Sequence, residues 1–316
     1  MDHRDLDIET LHQRAYDAFD AGRLKDSSTL FAELLRREPD AAHYHYMRGL
    51  THKYLLDWPT SLRHNLDALA LEQAPNEGAV WNGAIAATAL GDWAQARRLW
   101  TLGGIAIPEG TGPIEADYGI VSIRLNPWGD GETLYARRID LVRARLLNVP
   151  LPDSGYRYGD IVLHDGARTG ERGYFGQRVP VFNALARLVP SDLQTYVAFV
   201  SCESADDIAA LGSVSLPGYA DAEDWSASIV HYCLRCSYGA PHSHASAQDD
   251  ADWEPERSLG IAAQSRRVVD KLLRDWTRGG RGRRVDAVNA VDALPQAPAD
   301  GGVWWCAPDD EEEPAE

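Results

Sequence analysis

Long apolar runs are missing from this 316-residue chain. No stretch approaches the ~18–20 residues that a membrane-spanning helix needs. The opening Met-Asp-His-Arg-Asp-Leu-Asp also lacks the apolar core of a secretory signal, so the expected compartment is the cytoplasm. Cysteine is scarce: four in a chain of this length are too few for a disulfide scaffold. Positive charge is short as well. Lys and Arg number 31 against 48 Asp and Glu, which leaves a formal net charge of −17. That sign opposes a general nucleic-acid binder, because phosphates demand a basic face; it suits a soluble protein with a basic partner. No Gly-x-Ser-x-Gly elbow and no glycine-rich phosphate loop occurs, so no catalytic residue is assigned.

What is present is a repeat. The stretch from Trp81 to Pro108 contains Gly91-Asp-Trp93-x-x-Ala96-x3-Trp100 and closes on a proline. One helix ends at the Gly-Asp turn, small Ala96 lets a second pack closely against it, and Pro108 stops the second helix. Two copies lie upstream. Gly22-Arg-Leu24-x-x-Ser27-x3-Phe31, closed by Pro39, keeps the same register. The middle copy is the most degenerate, with Gly49, Asp57-Trp58, Ser61 and Ala68 in place but Asn65 where an aromatic is usual. These residues resemble the tetratricopeptide (TPR) repeat, whose period is about 34. The resemblance implies three helix hairpins over 8–108, with Trp81, Trp93 and Trp100 in the stacking core, and a partner-binding scaffold rather than an enzyme.

Glu109-Gly-Thr-Gly-Pro113 breaks the helical pattern. From 113 to 306 the sequence predicts a mainly antiparallel β domain with a few helices, so the whole chain reads as α+β. Strand candidates are 118–125, 132–139, 142–149, 160–164, entering a turn at Asp165-Gly166, and 193–200, the strongest. Helices are expected near 205–211 and 260–277, the latter from the Val268, Val269, Leu272, Leu273, Trp276 stripe. Gly302–Cys306 suits a last strand, and the acidic tail 307–316 is expected to be disordered.

The sharpest chemical feature is Cys233-x-x-Cys236-x5-His242-x-His244. A Cys-x-x-Cys knuckle aims two thiolates at one point, and two nearby histidines complete a tetrahedral Zn²⁺ site of structural type. His231 competes for the fourth position. The alternatives are a redox pair, for which the thioredoxin-like βαβ context is absent, or two unrelated thiols. His164-Asp165 is conceivable as a catalytic pair, yet Asp165-Gly166 is explained by a turn. The arginines of the run 278–284 suggest phosphate contacts, but a helix C-terminus followed by glycine explains the same residues.

Blocks such as Ile139-Asp-Leu-Val-Arg-Ala-Arg, Val149-Pro-Leu-Pro-Asp-Ser-Gly, Val162-Leu-His-Asp-Gly and the Cys/His loop resemble an uncharacterised domain carried by bacterial TPR proteins. Such proteins look like immunity-like companions of polymorphic toxins. The resemblance implies a non-catalytic binding protein whose TPR groove holds another protein, such as a basic toxin domain. The alternative is a metal-dependent enzyme with a TPR recruitment domain.

Overall fold

The computed structural model describes residues 6–129, 131–230, 253–298 and 302–303. They fall into two compact units, one of residues up to Ala116 with those from Ala297 onward, the other Asp117–Gln296.

The first unit is a helical array. Its elements are α1 (Ile8–Asp20), α2 (Leu24–Arg37), α3 (Ala42–Tyr54), α4 (Trp58–Leu71), α5 (Glu77–Ala89) and α6 (Trp93–Leu102). These are TPR-like hairpins, and the repeat is visible atom by atom. Ser27 Oγ donates to the Ala15 carbonyl at 3.1 Å, and 34 residues on Ser61 Oγ donates to the Gly49 carbonyl at 2.8 Å. The serine is small enough for two helix backbones to approach, and its hydroxyl is satisfied where they do. Ala96 takes the third such place, buried beneath α5. Trp100 is 1% exposed and meets Trp81 edge to face at 4.9 Å. Trp93 is only half-buried.

Gly22 and Gly91 turn the outer hairpins at φ +71° and +69°. The middle turn places Leu56 in the same left-handed conformation, at φ +58°. For an L-residue that region costs roughly 1–2 kcal/mol, partly offset by the extra freedom glycine has in the unfolded chain. Leu56→Gly is therefore expected to stabilise the array, by up to about 1 kcal/mol, and denaturant melts measure it. A loss of stability would show that the Leu56 side chain contributes more than the turn strain removes.

The second unit opens with five strands: β1 (Ile120–Leu125), β2 (Glu132–Arg138), β3 (Arg143–Leu146), β4 (Ile161–Tyr174) and β5 (Gln177–Val189). They close into a barrel in sequence order. Successive pairs are antiparallel, and because the number of strands is odd the closing pair β1–β5 must be parallel, as it is. Val121, Ile123, Leu134, Ala136, Leu146, Val162, Phe182 and Ala184 fill the interior. The expected turn at Asp165-Gly166 does not occur. β4 runs on through four register shifts to Tyr174, and the chain reverses at Phe175-Gly176, both with positive φ. That pair of conformations is the two-residue hairpin turn whose twist matches the strands. The Asp-Gly signal was outweighed by pairing with β5, a strand the sequence pattern missed.

After the barrel come β6 (Gln194–Ser201), α7 (Ala205–Gly212), β7 (Tyr219–Asp224), α8 (Trp225–Val230), β8 (Glu256–Ala263), α9 (Arg266–Gly279) and β9 (Arg284–Ala290). The sheet order is β7-β8-β6-β9, every pair antiparallel. A βαββαβ chain in this order has ferredoxin-like connectivity. Tyr196, Ala198, Val200, Leu259, Ile261 and Ala263 meet Leu211 and the Val269, Leu272, Leu273, Trp276 stripe in one core. The amphipathic helix begins at Arg266 rather than near 260, because Leu259–Ala263 pairs on both sides as a central strand. Trp225 covers the opposite face; a Cβ on Gly260 would lie 2.2 Å from its indole ring. Its Nε1 donates to the Val149 carbonyl at 3.1 Å and so joins sheet to barrel loop.

The arginine-glycine run does what a helix end requires. Arg283 Nη1 donates to the Trp276 carbonyl at 3.0 Å, and its Nε to Asp207 at 2.7 Å.

Candidate functional site

The residues singled out at 231–244 lie outside the described residues: Cys233, Cys236, His242, His244 and His231 are therefore not placed. His164 and Asp165 are placed, and they do not form a catalytic pair. His164 is fully buried in the barrel, stacked on Phe182 at 4.7 Å, with Nδ1 3.0 Å from the backbone oxygen of Asp165. Burial pushes its pKa down to about 4, so it is neutral at pH 7. The ring exposes no surface to solvent.

The polar constellation that the structure does assemble sits in the degenerate middle repeat. Where the outer copies place Phe31 and Trp100, this one buries Asn65, which donates to the Ser61 carbonyl at 2.8 Å. His45, Arg48 and His52 stand on one face of α3 at i, i+3 and i+7, the spacing that stacks side chains along a helix. Arg63, His64 and Asp67 of α4 face them, with Asp57 in the turn between and Ser28 on α2.

The hydrogen bonds fix the tautomers. Ser28 Oγ is 2.8 Å from His52 Nε2, and His52 Nδ1 is 3.0 Å from Asp57 Oδ2. A carboxylate only accepts, so Nδ1 carries the proton and Nε2 accepts from the serine. The order hydroxyl–imidazole–carboxylate is that of a nucleophilic triad, but the Ser28 backbone N–H is no oxyanion donor: it lies within α2, beyond the first four residues whose N–H groups are free of the helix ladder. Its role is to clasp α2 to α3. Burial is the main cause lowering the His52 pKa, opposed by Asp57.

Further along, His45 Nε2 is 3.0 Å from the Pro39 carbonyl and donates to it. Its Nδ1 faces His64 Nδ1 at 2.9 Å. Arg63 Nη2, always a donor, is 3.2 Å from His64 Nε2. His64 therefore holds its proton on Nδ1 and gives it to His45. Asp67 Oδ2 lies 3.6 Å from the His45 nitrogen and 4.0 Å from that of His64. Burial, then the charges of Arg48 and Arg63, push the His64 pKa down to about 3, so its ring is neutral at pH 7. Arg48 lies near both His52 and His64, with its Nε buried and without a hydrogen-bond partner among the described residues.

A second set of side chains lines the first helices of the array. His12 stacks on Tyr16 at 4.5 Å and reaches Tyr44 Oη with Nδ1 at 3.2 Å, while exposed His43 lies 6.3 Å from His12. α1 and α3 thus share a shelf of rings, half-buried His12 and Tyr16 and exposed His43 over buried Tyr44. Among the described residues no helix is long and apolar enough to cross a membrane.

Neither site was legible as such. The sequence signal for the middle repeat was its departure from pattern: the histidines, arginines and Asn65 concentrate in the copy that fits worst.

No protein-family model matches the chain, and no curated protein matches it. Among solved structures the chain is similar to the yeast Sti1 TPR2B domain in its pHsp70 complex, over 30% of this chain and 76% of that one, at 17% identity and a TM-score of 0.29.

Proposed function

We propose that the chain is a non-catalytic protein-binding scaffold of a bacterial cytoplasm, which holds another protein through the first helices of its TPR-like hairpins. The observation that carries this reading is the ring shelf of half-buried His12 and Tyr16 and exposed His43 across α1 and α3, seated on buried Tyr44. Stacked helix hairpins present their first helices side by side to a helix or extended peptide. Aromatic rings there supply contact area at small cost in side-chain freedom.

The finer reading is an immunity-like role, in which the partner is a basic toxin domain and the bound protein is neutralised. A net charge of −17 favours rapid, salt-sensitive encounter with such a partner. We further propose that Cys233, Cys236, His242 and His244 bind a structural Zn²⁺, on the strength of their spacing.

The test is co-expression with the product of the adjacent gene. Protection from a toxic neighbour and a stable complex are expected, with affinity falling at least tenfold in a His12→Ala, His43→Ala variant that keeps its helical circular dichroism. Unchanged affinity would remove the shelf from the interface. Turnover of a small substrate by the isolated chain would favour the enzyme alternative instead.

A further inference from the structure

We propose that His45, His64 and Asp67 form a divalent-metal site that takes Zn²⁺ through two imidazole Nδ1 atoms and one carboxylate oxygen, with a fourth position open to water. The site is independent of the partner-binding reading and of the Cys/His loop.

The three ligand atoms already converge. Bonds of about 2.0–2.1 Å at tetrahedral angles place ligand atoms about 3.3 Å apart. Here the nitrogens are 2.9 Å apart, and the Asp67 oxygen lies 3.6 and 4.0 Å from them. Shifts of about 0.3–0.7 Å, the largest in the carboxylate, complete the geometry. Asp67 is free to make them, since its side chain is 46% exposed, while His45 and His64 are 13% and 6% exposed. The exposed side is also where a water reaches the fourth position.

The two nitrogens now share one proton, and the metal takes that proton's place. His45 is ready for this, because its Nε2–H is spent on the Pro39 carbonyl and its Nδ1 lone pair points at the site. Such an outer hydrogen bond is what fixes the tautomer of metal-bound histidines. His64 must change tautomer: Nδ1 loses its proton to solvent, Nε2 takes one up, and Arg63 can no longer donate there. Arg63 is exposed and can turn to solvent. Two neutral imidazoles and one carboxylate match Zn²⁺ rather than Mg²⁺ or Ca²⁺, which prefer oxygen donors alone. His45 lies on α3 and the other two ligands on α4, so the ion would join the helices of the hairpin whose core holds Asn65 in place of an aromatic.

Arg63 makes the proposal specific. It opposes the metal twice, by its charge and by holding His64 in the wrong tautomer. Removing it must therefore tighten binding.

The experiment is zinc titration of the full chain by calorimetry, in the wild type and in a Cys233→Ser, Cys236→Ser background that removes the thiolate donors. One ion per chain is expected to remain in that background. Asp67→Asn and His64→Ala should weaken it at least tenfold, as loss of a ligand or its support does, and Arg63→Ala should strengthen it severalfold. Co²⁺ bound at the site should show the visible absorption of a four-coordinate centre without thiolate charge transfer. Asp67 is on the surface, so Asp67→Asn folds even if His64→Ala does not. If the cysteine background does not fold, the same comparison is made in the wild type, where Asp67→Asn should lose one ion per chain. Zinc uptake that Asp67→Asn leaves unchanged, no uptake in a folded cysteine background, or weaker binding in Arg63→Ala overturns the proposal.

Discussion

Trp100→Ala is expected to melt the helical array well below the parent. Trp100 is 1% exposed and packs its ring edge to face on Trp81 at 4.9 Å, between α5 and α6 of the last hairpin. Truncating it removes a large apolar surface and leaves a cavity that the neighbouring helices fill only in part. Changes of this kind cost ~3–5 kcal/mol, and the aromatic pair adds about 0.5–1.5 kcal/mol. For a unit of roughly a hundred residues that lowers the melting temperature by at least roughly 12 °C. Trp93→Ala is the control: Trp93 is half-buried and its loss should cost clearly less. Equal effects of the two, or a Trp100→Ala protein within a couple of degrees of the parent, would remove Trp100 from the stacking core.

Glu132→Gln is expected to stabilise the second unit at alkaline pH and to leave it nearly unchanged at pH 4. The Glu132 carboxylate oxygens both lie 3.1 Å from the Leu151 amide, on the loop that Glu223 also holds through the Val149 amide at 3.0 Å. Burial, reinforced by Glu223, raises the Glu132 pKa to about 8. The Leu151 N–H and Arg172 oppose the rise without cancelling it. In the folded state the group is therefore neutral at pH 7, whereas in the unfolded chain it ionises near pH 4.5. The unfolded state binds fewer protons between these values, so stability falls as pH rises from about 4.5 to about 8. Over that span the loss is about 2–4 kcal/mol after allowance for the solvent that reaches the carboxyl. Glutamine keeps the acceptor and cannot ionise, so its melting temperature at pH 8 should exceed that of the parent by roughly 5–15 °C. Parallel melting curves for the two proteins from pH 5 to pH 8 would show that Glu132 is ionised throughout.

The sequence by itself determined the helical array and its register. Gly22, Gly91, Ser27, Ser61, Ala96 and Trp100 are local requirements: a left-handed turn, a close helix approach, an apolar filler; the expected stop at Pro108 is instead made at Leu102 by Gly103 and Gly104. Each acts within one hairpin, so a period of about 34 makes them readable in a single chain. The strands near 120–125, 132–138, 143–146 and 194–201 were legible for a similar reason, as runs of residues that suit a pleated surface.

Tertiary structure decided the rest. Whether His164-Asp165-Gly166 turned or continued depended on a partner strand fifteen to twenty residues away, and pairing with β5 prevailed over the local Asp-Gly preference. Whether Leu259–Ala263 extended the following helix or formed a central strand depended on β6 and β7, which flank it on both sides. The ferredoxin-like sheet order and the parallel closure of the barrel exist only once such long-range pairs are made. The seam of His45, Arg48, His52, His64 and Asp67 is the same case at the level of a site. Its residues are spread over 23 positions and two helices, with no motif spacing to announce them. They meet because the middle hairpin folds on the register set by its neighbours while its own core positions hold polar groups.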